Sequence, residues 1–295
     1  NAARDRRPRS TSPCRRSPRG VSAWRGSVRA VAASLLDALF PKRCAGCGSG
    51  PWPFCARCRS ELVVLSPPWC ARCGAPASRA KIACRDCPPD PIAIARAPFG
   101  FDGPIRRAVH RLKFGGWRAV ADALADAMVE AWADVPWTPS AVTWVPLSRD
   151  RLAARGYDQS RALARAVAPM IGAPALPLLR RVGDPGPQAR RGAAARREAM
   201  RGMFAAEEAP GTVVLVDDVL TTGATGGACA STLLGAGAET VGLLTAARAV
   251  SSARRPRPIL GHGPASGSVV APGNGSPAVD ASRGRSDPRK PTLGR

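Results

Sequence analysis

The clearest hydrophobic pattern in the chain lies at 212–216, Thr-Val-Val-Leu-Val, β-branched and apolar almost throughout. That is the signature of a central parallel strand covered on both faces. Asp217 and Asp218 come where this run ends, and a loop of small residues, Thr221 to Thr225, follows. A small-residue helix is predicted over about 226–234, and Thr-Val-Gly-Leu-Leu-Thr-Ala-Ala at 240–247 reads as the next strand. Strand, helix and strand make a βαβ unit with its loop at the carboxyl end of the sheet, where open α/β sheets place ligands. Upstream, Ala141 to Val145 is a further predicted strand, followed by a polar connection from Pro146 to Gln159. Helices are predicted from near Pro104 and over about 118–132, the second amphipathic. An amphipathic run around Val28 to Phe40 is interrupted by Asp37.

No apolar stretch approaches the roughly 18 to 20 residues of a membrane span, and no signal-peptide core follows the Arg-rich start. A soluble, cytoplasmic protein is expected. The charge is uneven. Of a formal +23, residues 1–30 supply +8 and residues 250–295 supply +6. Both ends are rich in Arg, Pro, Ser and Gly without apolar periodicity, so they are expected to be disordered basic tails. Such tails favour polyanions without naming one. The expected layout is a tail over 1–30, a helix and cysteine module over 31–90, an α/β domain over 91–249 and a tail over 250–295.

Eight of ten cysteines fall into CxxC units: Cys44 and Cys47, Cys55 and Cys58, Cys70 and Cys73, Cys84 and Cys87. Each unit aims two thiolates at one point, and two units make the sulfur cage that Zn²⁺ prefers. Eight ligands predict two structural zinc ions. Sequential and interleaved pairing fit the spacing equally well, and sequential pairing is the one expected. A redox CxxC needs a βαβ context that this stretch lacks. The chain is also far longer than a secreted disulfide scaffold. Cys14 is read as incidental and Cys229 as a buried small residue in a helix. Trp52 and Trp69, beside the knuckles, are read first as packing residues and second as stacking platforms.

Small residues leading into a helix N-terminus offer backbone N–H groups and the helix dipole to a phosphate. The Gly-Lys-Ser/Thr of a Walker loop is absent, and a dinucleotide fingerprint lacks paired acids. Two carboxylates above a phosphate cradle suit a sugar phosphate, whose hydroxyls Asp217 and Asp218 accept from; the acids also attract Mg²⁺.

The string "VVLVDDVLTTGAT" at 213–225 resembles the phosphoribosyl pyrophosphate (PRPP) motif of type I phosphoribosyltransferases. With "LLDALFP" before the cysteines, "FDGPIRRAVHRLKFGG" at 101–116, "VPLSRDRLAARGYDQ" at 145–159 and "PQARRGAAARREAMRGMF" at 187–204, the chain from about 35 to 249 is similar to the ComF family of competence proteins. The resemblance implies an α/β fold, a type I phosphoribosyltransferase-like (Rossmann-like) parallel sheet with an N-terminal double zinc ribbon. It implies PRPP binding at Asp217, Asp218, Thr221, Thr222, Gly223, Ala224 and Thr225, with Mg²⁺ accompanying PRPP. By similarity the 146–159 connection faces pyrophosphate, and Arg180 to Arg201 is a mobile hood that closes over PRPP.

Arg149, Arg155 and Arg190 are the catalytic candidates that follow, since arginine forks match phosphate oxygens. Arg151, Arg191, Arg196 and Arg197 are further phosphate-contact candidates, for pyrophosphate or DNA, and His110 and Lys113 are site candidates by their match to the family. Two positions depart from its pattern: Asp158 stands in a usual Phe-Asn-Gln, here Tyr157-Asp158-Gln159, and Ala199 replaces an asparagine. The implied role is natural competence and processing of incoming single-stranded DNA, with DNA-processing proteins as further partners. An active phosphoribosyltransferase acting on a base or amine and a zinc-ribbon adaptor with a vestigial nucleotide site are the alternatives. The donor site is legible and an acceptor site is not, so whether the protein is an enzyme stays open.

Overall fold

The computed structural model describes residues 42–183 and 202–250. Cys14, the run Val28 to Phe40, the two tails beyond these bounds, and Arg190, Arg191, Arg196, Arg197 and Ala199 lie outside the described residues. In chain order the elements are α1 (Ala56–Ser60), β1 (Ile94–Arg96), β2 (Phe99–Gly100), α2 (Gly103–Phe114), α3 (Ala119–Trp132), β3 (Ala141–Trp144), α4 (Arg149–Arg155), α5 (Gln159–Val167), β4 (Leu179–Arg181), β5 (Phe204–Ala206), β6 (Thr212–Leu220), α6 (Ala224–Gly235) and β7 (Thr240–Arg248).

The main sheet is parallel, in the order β1, β7, β6, β3, with β2 continuing the edge that β1 begins along β7. Alternation along each strand sorts side chains to two faces. Val142, Trp144, Val214, Val216, Leu244 and Ala246 meet Leu112 of α2, Leu124 and Met128 of α3 and Leu163 of α5 in one buried cluster. Ala141, Val213, Leu215, Val241 and Leu243 meet Cys229, Ala230 and Leu233 of α6 in another. Cys229 is thus a core residue, as its small apolar surroundings in the sequence predict. Gly242 of β7 is needed where it stands: a Cβ there would run into the rings of Trp132 and Trp137, which pack edge to face with centroids 6.1 Å apart. The sheet is a Rossmann-like α/β layer carrying an N-terminal cysteine module.

Two predicted boundaries shift. Strand β6 does not stop at Val216 but runs on to Leu220, because β7 is equally long and keeps pairing with it, Asp217 opposite Thr245 and Leu220 opposite Arg248. The acids therefore sit within a strand's last turn of pleat rather than in a loop. The 146–159 connection holds a short helix, α4, that buries none of its side chains and so leaves no apolar period to read.

The cysteine module straddles the sheet edge. Its first half packs with α2, its second with β1, β7 and α6, for Cys44 and Cys58 belong to the first cluster and Cys70 and Cys73 to the second. Arginines dock both halves. Arg107 and Arg111 of α2 donate to the carbonyls of Ala45 and Gly46 at 2.6–2.8 Å. Arg96, 3% exposed, donates through Nη1 to Ala71 O and clamps Asp134 with two bonds of 2.9 and 2.8 Å. Its guanidinium also lies over the Trp69 ring. Arg248 at the end of β7, equally buried, donates to the carbonyls of Cys73 and Asp86. Such planar, permanently charged donors suit buried carbonyl clusters that lysine would serve poorly.

Candidate functional site

Cys44, Cys47, Cys55 and Cys58 gather their sulfurs within 4.8 Å of one another, and so do Cys70, Cys73, Cys84 and Cys87. The pairing is sequential. Four thiolates at about 2.3 Å from a tetrahedral centre stand about 3.8 Å apart; here Cys47 and Cys55 are 3.8 Å apart, Cys70 and Cys87 3.7 Å, Cys73 and Cys84 3.6 Å. The donor sets therefore fit two closed structural zinc sites. Local backbone builds them: Gly48 N–H bonds Cys44 O and Gly74 N–H bonds Cys70 O, each at 2.8 Å, closing the two knuckle turns. Cys55 and Cys58 flank the first turn of α1.

The thiols of one cage do not share an affinity for protons. Burial works against thiolate at Cys44, yet backbone N–H donors at Cys47, Cys55 and Gly46 bring it down to about 6. Burial, with neighbouring sulfurs, pushes Cys58 up to about 12, and burial pushes Cys73 to about 12 as well. Like charges packed this closely need a divalent cation between them.

The second centre begins at Asp217, beyond β5. Asp217 and Asp218 stand near the carboxyl end of β6, and Gly223, with φ 73°, turns the chain into α6. Thr221 and Thr222 are exposed, Thr225 half-buried, and Gly223 and Ala224 are buried beneath them. Thr222 Oγ1 accepts from Ala224 N at 3.4 Å. A Cβ on Gly223 would stand 2.7 Å from Pro88 Cβ and 3.0 Å from Pro89 Cδ. The loop is therefore glycine both for its left-handed backbone and because the second zinc half leans on it.

Asp218 is 5% exposed and fully engaged. Lys113 Nζ reaches Oδ1 at 2.8 Å and Gln159 Nε2 donates to Oδ2 at 2.9 Å. Arg155 in turn donates to Gln159 Oε1 at 2.8 Å, so one relay links α4, α5 and β6. Asp217 Oδ1 accepts from Ser160 Oγ at 3.0 Å and from Asp218 N at 2.9 Å. Burial, and then the charge of Asp218, push the Asp217 carboxyl up to about 7. Asp217 therefore keeps its proton well above the ordinary carboxylate range.

Of the other candidates, Arg155 lies half-buried under the relay with its guanidinium over Phe114, whereas Arg149 and Arg151 are exposed on α4. Arg151 lines a cavity with Lys113, Phe114, Arg155 and Tyr157. His110, exposed on α2, packs against Phe114 with tilted rings, centroids 4.8 Å apart. Arg190 lies outside the described residues. Asp158 is a helix cap: its Oδ1 accepts from Ser160 N and Arg161 N at the start of α5, and its Oδ2 from Leu147 N. Sequence reasoning named Gln159 only as part of a motif and missed Ser160. A short polar pair entering a helix beside a strand-end acid was the only signal on offer.

No helix among the described residues is long and apolar enough to cross a membrane. Residues 35–88 match the double zinc ribbon domain. The chain is similar to the DNA utilization protein YhgH of Salmonella typhimurium, 31% identical over 197 residues that cover 63% of this chain and 85% of that protein. It is likewise similar to its counterpart in Escherichia coli O157:H7, 28% identical over 202 residues, 65% of this chain and 88% of the relative. Sequential zinc cages, a Rossmann-like sheet and these relatives agree, and the chain belongs to the ComF-type family of the DNA utilization protein YhgH.

Proposed function

We propose that this protein binds PRPP with Mg²⁺ at the Asp217–Thr225 segment and serves in natural competence, in the processing of incoming single-stranded DNA. The observation that carries the PRPP half is the Asp217–Asp218 pair at the carboxyl edge of a parallel sheet, followed within one turn by Gly223 and the start of α6. Thr221 to Thr225 would hold the 5′-phosphate through backbone N–H groups and hydroxyls. Asp217 and Asp218 would accept from the ribose hydroxyls. Arg155, held by Gln159 and standing near Lys113, would face pyrophosphate. The DNA half is supported by the relatives being DNA utilization proteins by name and by the basic balance of the chain.

The test is calorimetric titration of PRPP with Mg²⁺ into the zinc-loaded protein. Saturable heat is expected from the wild type and none from folded Asp217→Asn/Asp218→Asn. A folded wild type that gives no heat overturns the PRPP reading.

A further inference from the structure

A second concave surface lies apart from the acids. It is a cleft of about 610 Å³ lined by Arg118, Arg161, Arg165, Arg180 and Arg181, with Trp144 and Tyr157 in its wall and Asp158 as the one carboxylate among the described residues that line it. It shares no residue with the Asp217–Thr225 segment. Both oxygens of Asp158 are taken by backbone N–H groups, and it forms no ion pair with the arginines of the cleft.

The arginines come from different elements. Arg118 precedes α3, Arg161 and Arg165 stand one turn apart on α5, and Arg180 lies on β4. On one helix face i and i+4 side chains start about 6 Å apart, so Arg161 and Arg165 set two charges in a row rather than at one point. A lone phosphate would be matched by a compact fork. A run of phosphates matches a line.

The wall adds a second feature. Arg118 lies over the Tyr157 ring at 4.8 Å and Arg161 over Trp144 at 5.5 Å, which sets flat cationic faces beside the line of charge. Arginine planes and aromatic faces are what unpaired bases stack on. A duplex keeps its bases stacked inside and would use only the charges. Arg161, Arg165 and Arg180 are exposed, and among the described residues no acidic partner stands against them within the cleft.

We propose that this cleft, between the α4–α5 corner and β4, is a binding groove for single-stranded nucleic acid, with Arg161, Arg165 and Arg180 on the backbone phosphates and the Arg118–Tyr157 and Arg161–Trp144 planes against bases. The proposal rests on the DNA half of the function above and gives that half a place separate from PRPP.

The experiment is fluorescence anisotropy of a labelled oligothymidylate of about 20 residues, titrated with the full-length, zinc-loaded protein across a salt series. Arg161→Gln/Arg165→Gln is the main variant, because both side chains are exposed and their loss leaves the core intact. Arg180→Gln is the second. The double variant is expected to weaken binding several-fold and to flatten the salt slope by about 1.4, two contacts at about 0.7 each on a single strand. PRPP titration of the same variant should match the wild type. An unchanged slope and affinity in both variants, with the wild type binding, overturns the groove and leaves DNA binding to other surfaces. Equal competition by a duplex of the same sequence, or full competition by inorganic pyrophosphate at matched phosphate concentration, also overturns it. A wild type that binds no oligothymidylate removes the DNA reading altogether, whatever PRPP does.

Discussion

Lys113 of α2 sets its ammonium 2.8 Å from Asp218 of β6, an ion pair in which the carboxylate is 7% exposed and the lysine side chain 25%. Removing the lysine strands a buried charge, and that loss usually costs more than the pair itself contributes. Lys113→Met is expected to lower stability in urea by about 2 to 3 kcal/mol, less than a fully enclosed pair because Gln159 still donates to Asp218. Lys113→Met/Asp218→Asn should recover most of the loss. A single variant as stable as wild type would mean that the acid sheds its charge at no cost.

Asp217 gives a pH signature. Its carboxyl binds a proton more tightly folded than unfolded, so between the ordinary carboxylate range near 4 and about 7 the native state holds the extra proton and stability falls as pH rises. Above about 7 the penalty is complete. Asp217→Asn is therefore expected to melt several degrees higher than wild type at pH 8, with the gain gone at pH 4. Equal melting temperatures at pH 8 would show that the acid pair is accommodated without strain. Stabilisation at the expense of ligand binding is the usual relation at a built site.

The two zinc cages are expected to be unequal in effect. Metal analysis should give two zinc ions per chain, falling to one in Cys47→Ser/Cys55→Ser and to one in Cys84→Ser/Cys87→Ser. Only the second loss should weaken PRPP binding strongly, by tenfold or more, because Pro88 and Pro89 follow directly on Cys87 and press on Gly223. Similar effects of both pairs on calorimetric affinity would refute a direct contact between the second ribbon and the loop.

Asp158 supports three backbone N–H groups, so Asp158→Ala should cost about 1 to 2 kcal/mol, the usual loss of a helix cap with a further orphaned donor. Asp158→Asn keeps an oxygen for Ser160 and Arg161 and gives up Leu147, and it should lose roughly 1 kcal/mol less. Urea melts of the two variants decide it, and equal losses would place the stability in the Leu147 contact.

How far the fold could be read ahead depended on how much each element buries. Strands β6 and β7 are covered on both faces and announce themselves as apolar runs, as did the helices α2 and α3. Strands β1 and β2 are three and two residues long and edge on, and they carry no period of their own. The cysteine cages were legible to the ligand because their chemistry lies in local spacing. The Lys113–Asp218 pair and the docking of Arg248 on Cys73 were not, because they join positions far apart in sequence whose approach only the completed sheet dictates. An arginine closing the apolar run at 240–248 was the one hint, for a charge at such a place needs a buried acceptor.

The docking of the zinc module on β7 also fixes an order of events. Cys70 to Cys87 leave the ribosome long before Arg248, whose guanidinium meets Cys73 across 175 positions. Until then the nascent second ribbon has its own turns, its metal and the nearby β1 segment to hold it, since β7 has not yet been translated. Contacts of such sequence separation form late and slowly. Early metal capture is thus the step that keeps eight reactive thiols out of wrong pairings while the sheet that will receive them is still being made.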